Sequence, residues 1–148
     1  MLPLHLKMAR IIAIDFGTKR TGLAVTDPTK TIATALETVP THQVFDFLQK
    51  YMEREPVESI VVGDPKRLNN EASQTTELAN RFVNQLKKKF PGLPVKRYDE
   101  RFTSLIASRS LIESGQSRKV RRDKSVIDQV SATILLQNYL ETLPPTHL

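Results

Sequence analysis

The periodicity of the chain changes once, near residue 40, and that change limits the folds open to it. Before it, three β-like runs follow at short intervals: Arg10–Asp15 (RIIAID), Gly22–Thr26 (GLAVT) and Thr31–Glu37 (TIATALE), separated by short turns containing Gly or Pro. This reads as a three-stranded meander. After it, strands alternate with amphipathic helices. Thr41 is placed to cap a helix whose Val44, Phe45, Leu48 and Met52 share one face, with Pro56 marking its end. Ser59–Val62 is short and apolar, the pattern of a strand buried on both sides and stopped by Gly63 and Pro65. From Ser73 to Phe90, Leu78, Phe82, Leu86 and Phe90 recur every four residues, and Lys87–Lys89 crowd the last turn, so a helix is expected there.

Pro91, Gly92 and Pro94 break that helix before Val95–Tyr98, a strand that delivers Asp99 and Glu100 at its end. Two further helices are expected, Thr103–Ser114 ending at Gly115 and Ser125–Leu140 carrying Val126, Val130, Ile134 and Leu135. Between them Ser117–Lys124 (SRKVRRDK) reads as an exposed, mobile basic linker. The order β-β-β-α-β-α-β-α-α, without an internal repeat, implies an α/β chain with a mixed five-stranded sheet flanked by helices. It reads as one domain over residues 1–148, with its core over about 10–141.

Composition narrows the chemistry. The 148 residues include no cysteine, which removes disulfides, thiolate zinc sites and cysteine nucleophiles, and suits a reducing compartment; cytoplasm is the expected location. No apolar run reaches the length needed to cross a bilayer, so no membrane partner is expected. Lys and Arg number 22 against 16 Asp and Glu, a formal charge of +6, which favours a polyanionic partner such as nucleic acid. The three histidines, His5, His42 and His147, have no metal-ligand neighbours, and no GxSxG elbow supports a serine nucleophile.

Carboxylates stand where strands end. Asp15 closes the apolar run IIAI, where an unpaired charge costs several kcal/mol, so it should meet a cation, a helix terminus or a metal; otherwise it is a turn-former. Asp99 and Glu100 repeat the arrangement after VKRY, with salt bridges to Arg97 or Arg101 as the structural alternative. Asp128 borders the apolar stripe of the last helix, where an i,i+4 pair with Lys124 is the alternative. Converging carboxylates of this kind can hold two Mg²⁺ or Mn²⁺ ions, a device that cleaves phosphodiesters without histidine or cysteine. The metals also reverse the local sign and admit a phosphate backbone. In the segment DFGTKRTG, from Asp15 to Gly22, backbone N–H groups with Lys19 or Arg20 could face a phosphate; an ordinary hairpin turn is the alternative.

These residues resemble the YqgF family, RuvC-related proteins described as pre-16S rRNA nucleases and Holliday-junction resolvase-like proteins. The resemblance spans about Arg10–Glu141. Its strongest pieces are IDFGTKRTGLAVTD (Ile14–Asp27), YDERFTS (Tyr98–Ser104) and KSVIDQVSATILLQNYLE (Lys124–Glu141). It implies an RNase H-like fold with the first strand central, and Asp15, Glu100 and Asp128 as catalytic and metal-binding acids within bridging reach of one another. It implies a metal-dependent nuclease acting in 5′-end processing of pre-16S rRNA during ribosome biogenesis.

Lys19, Arg20, Arg101, Arg121, Arg122 and Lys124 are the expected nucleic-acid contacts around that pocket. Two positions depart from the family pattern. Asp64 replaces an apolar residue after VVG, either as an exposed turn aspartate before Pro65 or as an additional metal ligand, and Ser131 replaces alanine, a nearly isosteric change expected to matter little. Three other functions remain in view: a resolvase of Holliday junctions or other structured DNA, a nucleic-acid-binding protein that does not cut, and a phosphotransferase whose phosphate hairpin looks like DFGTKRTG. The last normally needs two such domains, so no nucleotide cofactor is expected. Junction cleavage calls for a symmetric dimer, whereas RNA end-trimming can proceed as a monomer, so the sequence leaves monomer or dimer open.

Overall fold

The computed structural model describes residues 8–64, 74–99 and 124–144. Five strands form one sheet: β1 (Arg10–Asp15), β2 (Arg20–Thr26), β3 (Ala33–Pro40), β4 (Val57–Asp64) and β5 (Val95–Asp99). Their order is β3-β2-β1-β4-β5, so the first strand is central, as expected. The meander β1-β2-β3 is antiparallel, whereas β4 and β5 add parallel to β1. Parallel addition requires crossovers, and α1 (Val44–Arg54) and α2 (Gln74–Lys89) belong to them. A last helix, α3 (Lys124–Thr142), covers β1, β2 and β3. The expected helix Thr103–Ser114 and the linker Ser117–Lys124 lie outside the described residues, except that Lys124, expected in the linker, opens α3.

Strand alternation sorts the core into two layers. On one face Ile12, Ile14, Leu23, Val25, Ile60 and Val62 pack with Val44, Leu48 and Tyr51 of α1 and Phe82, Val83 and Leu86 of α2. On the other, Ile11, Ala13, Ala24 and Val61 pack with Ala132, Leu135, Leu136 and Tyr139 of α3. The second helix therefore buries Phe82 and Leu86 as its periodicity predicts, but Leu78, on the same stripe, stays 40% exposed.

Three boundaries differ from the sequence reading, for identifiable reasons. β2 begins at Arg20, two residues early, because Thr21 is fully buried and Gly22 pairs with Asp15 in register. β3 runs Ala33–Pro40, later than Thr31–Glu37, because residues 27–32 are taken up by a turn folded around Asp27. Burial alone would raise the Asp27 pKa, but the Thr29 hydroxyl and the backbone N–H groups of Ile32, Thr31 and Thr29 outweigh it and hold the carboxyl at about 2, against an ordinary 3.8. Thr41 does not cap α1. It opens a short 3-10 turn (Thr41–Gln43), and Gln43 precedes the helix without a side-chain cap. The Thr41 hydroxyl is engaged elsewhere.

Candidate active site

The β1–β2 hairpin is locked from beneath by a ring of hydrogen bonds. Thr41 donates its hydroxyl to the Gly17 carbonyl at 2.5 Å, which leaves its oxygen to accept from the Thr21 hydroxyl at 2.9 Å. Thr21 in turn accepts from the Gly17 N–H at 3.5 Å, and the Thr41 N–H binds the Lys19 carbonyl at 3.0 Å. Only glycine fits at position 17, because a Cβ there would collide with the Arg20 carbonyl. The sequence offered no periodic signal for this network. Thr41 is separated from Thr21 by 20 residues and carries a residue type that equally suits a helix cap.

Two of the expected acids neighbour the same glycine of this hairpin, Gly22. Asp15 ends β1 in the alternation class of Ile11 and Ala13, so it belongs to the α3 face, and its cross-strand partner is Gly22. At Gly22 the backbone of α3 comes close: an added Cβ would lie 2.6 Å from the Asp128 carbonyl carbon and 3.1 Å from its Cβ. A glycine inside a strand commonly marks such a close approach of backbone. Gly22 therefore sits between Asp15, beside it in the sheet, and Asp128, above it in the helix. Asp128 is half-buried and its Oδ2 accepts from Arg20 Nε at 3.3 Å. Arg20, two residues before Gly22, shares the same face.

Of the expected contacts, Lys19 is exposed at the hairpin tip, while Arg20 is turned to Asp128. Lys124 is the first residue of α3. Glu100, Arg101, Arg121 and Arg122 lie outside the described residues. Among the described residues no three His, Asp or Glu side chains gather to hold a metal. Asp64 ends β4 opposite Asp99 in register, inside the sheet rather than in a turn. Tyr98 falls on the α3 side, its ring edge-on to Tyr139 at 6.1 Å.

The sequence profile of the RuvX family, described as Holliday junction resolvase, matches residues 9–142. The chain belongs to this family. A protein of Phocaeicola vulgatus named "Putative pre-16S rRNA nuclease" is 53% identical over 135 residues, covering 91% of this chain and 97% of the relative. One of the same name from Bacteroides thetaiotaomicron is 52% identical, with 91% and 98% covered. Among solved structures, Thermus thermophilus RuvC in complex with a Holliday junction substrate superimposes with a TM-score of 0.54 at 18% identity, over 89% of this chain and 93% of that one. The fold is thus that of RuvC, an RNase H-like sheet. No helix among the described residues is long and apolar enough to cross a membrane.

Proposed function

We propose that the chain is a metal-dependent nuclease that hydrolyses phosphodiester bonds in pre-16S rRNA, with Asp15, Glu100 and Asp128 as its acids. The observation that carries this reading is that Asp15 and Asp128 both neighbour Gly22, one in the sheet and one in the helix, in a member of the RuvX family half-identical to proteins named as pre-16S rRNA nucleases. Glu100 is the next residue in sequence after β5, and its inclusion rests on the YDERFTS segment of the family resemblance.

The donor set fits hard divalent cations. Carboxylate oxygens are the ligands that Mg²⁺ and Mn²⁺ prefer, and Asp128 already holds a cationic group, the Arg20 guanidinium. Two such ions, when bound, supply an activated water and neutralise charge at the leaving oxygen. The protein's part is to fix the acids on rigid elements, Asp15 on the central strand and Asp128 on a helix seated against it. Arg20, exchanging Asp128 for a backbone phosphate, would bind the strand beside the site together with Lys19. Arg101, Arg121, Arg122 and Lys124 are the further nucleic-acid contacts that the sequence suggests.

The test is incubation of the purified protein with a labelled pre-16S 5′ leader, linear DNA and a four-way junction, in Mg²⁺, Mn²⁺ or EDTA. Asp15→Asn keeps the shape and removes the charge, so cleavage of the leader should fall at least about a thousandfold while the melting curve and RNA binding persist. Equal cutting by the Asn variant would remove Asp15 from the site. Preferential cutting of the junction by a protein that elutes as a dimer would replace the RNA reading with a resolvase.

A further inference from the structure

On the face opposite the acids, the hairpin, the 3-10 turn, α1 and α2 enclose a cleft of about 590 Å³. Phe16, Phe45 and Phe82 form its aromatic wall. Half-buried Phe16 and Phe45 close on the buried Phe82 ring from two sides, with centroids 5.0 and 5.3 Å away. Leu78, the apolar residue of α2 left exposed, lines the mouth. Lys19, His42 and Arg81 stand around it with Thr18 and Gln85, and no Asp or Glu occurs among the described lining residues. Lys19 and Arg81 are exposed and form no ion pair with any described carboxylate.

We infer that this cleft seats one unstacked nucleotide of a single-stranded RNA segment, its base against the phenylalanine wall and its phosphate on Lys19 and Arg81. An aromatic, apolar interior rimmed, among the described residues, by cations and neutral polar groups is complementary to a base joined to a phosphate, and the volume lies in the range of small-ligand sites. A duplex cannot offer a base to it without unstacking. The location gives the site a purpose. Asp15 and Phe16 are consecutive and lie on opposite sides of the sheet end, so a strand passing over the hairpin would meet the acids on one side and the cleft on the other. The inference rests on the nuclease reading for its purpose, not for the binding itself.

The experiment measures metal-free binding in EDTA by fluorescence anisotropy, using the Asp15→Asn protein. The probes are a uridine 12-mer, a 12-mer with abasic residues at its centre, and a 12-bp duplex. The parent should prefer the uridine strand to the abasic one about tenfold, the order of one stacked base. Phe45→Leu, which retains aliphatic packing but loses the ring, should erase that preference. Arg81→Glu, on an exposed helix position, should weaken uridine-strand binding by about tenfold and duplex binding much less. Equal loss on strand and duplex, no base preference in the parent, or unchanged binding by both variants would each overturn the nucleotide seat. If the protein with Asp15 intact binds with the expected pattern yet cuts nothing in Mg²⁺ or Mn²⁺, the nuclease reading fails and the seat stands.

Discussion

The two faces of the sheet are built to different rules. The face under α1 and α2 is filled by large branched and aromatic side chains, Ile12, Ile14, Leu23, Ile60, Leu86 and Phe82 among them. The face under α3 is thinner: Ala13, Ala24, Ala132 and the buried Ser131 are small, and at the hairpin end Gly22 has no side chain at all. Large side chains hold a helix away from a sheet, while small ones let its backbone approach. Among the described residues the first face carries the larger cluster of buried apolar side chains. The second lets the Asp128 turn of α3 settle onto Gly22, the cross-strand partner of Asp15. Stability and the candidate chemistry are thus separable to a useful degree, and substitutions on the two faces should separate them.

The largest effect is expected at this close approach. Gly22→Val would drive a side chain into the Asp128 carbonyl, and because backbone meets backbone the first turns of α3 must lift away. A displacement of about 1 Å at a reacting centre can cost a hundredfold, so cleavage of the leader RNA should drop by about that or more. On the opposite face Leu86→Ala opens a cavity in a fully buried site and should lower unfolding stability by about 2–5 kcal/mol in a urea titration. Cleavage per folded molecule should remain near that of the parent. If Leu86→Ala depresses turnover as strongly as Gly22→Val, the two faces are not separable and the comparison fails.

A smaller effect, of opposite sign, is expected at Ser131. Its side chain is fully buried against the sheet and its Oγ has no hydrogen-bond partner among the described residues. A substitution that looks neutral by volume is therefore costly by desolvation, contrary to the expectation from its size. Ser131→Ala should raise stability by about 1 kcal/mol, read as an upward shift of the urea midpoint. No shift would mean that the hydroxyl is satisfied in solution.

The smallest effect belongs to the β2–β3 turn, away from both helical layers. Because the folded Asp27 pKa is depressed to about 2 from 3.8, the native state releases this proton more readily than the unfolded chain. Its contribution is complete above about pH 4 and lost as the pH falls toward 2. The group is largely exposed, so the change should be modest. Acid titrations of the parent and Asp27→Asn should converge below about pH 2 and differ most above 4.

The order of the described strands and helices, the central apolar strand and the placement of an acid at its end were legible in the sequence. They depend on local periodicity and on punctuation by Gly and Pro, which neighbouring residues carry among themselves. The family was legible for the same reason, since DFGTKRTG and KSVIDQVSA are contiguous segments. What tertiary structure decided are the relations between segments. Thr41 had a residue type suited to a cap, and only the folded chain could set its hydroxyl between Thr21 and Gly17. Gly22 read as the edge of a turn until α3 was laid across it. Phe16, Phe45, Leu78 and Phe82 follow ordinary core patterns in one dimension, yet together they wall a cleft. Such pairings depend on how helices cross a twisted sheet, which is set by side-chain volume over the whole interface and leaves no periodic trace in the sequence.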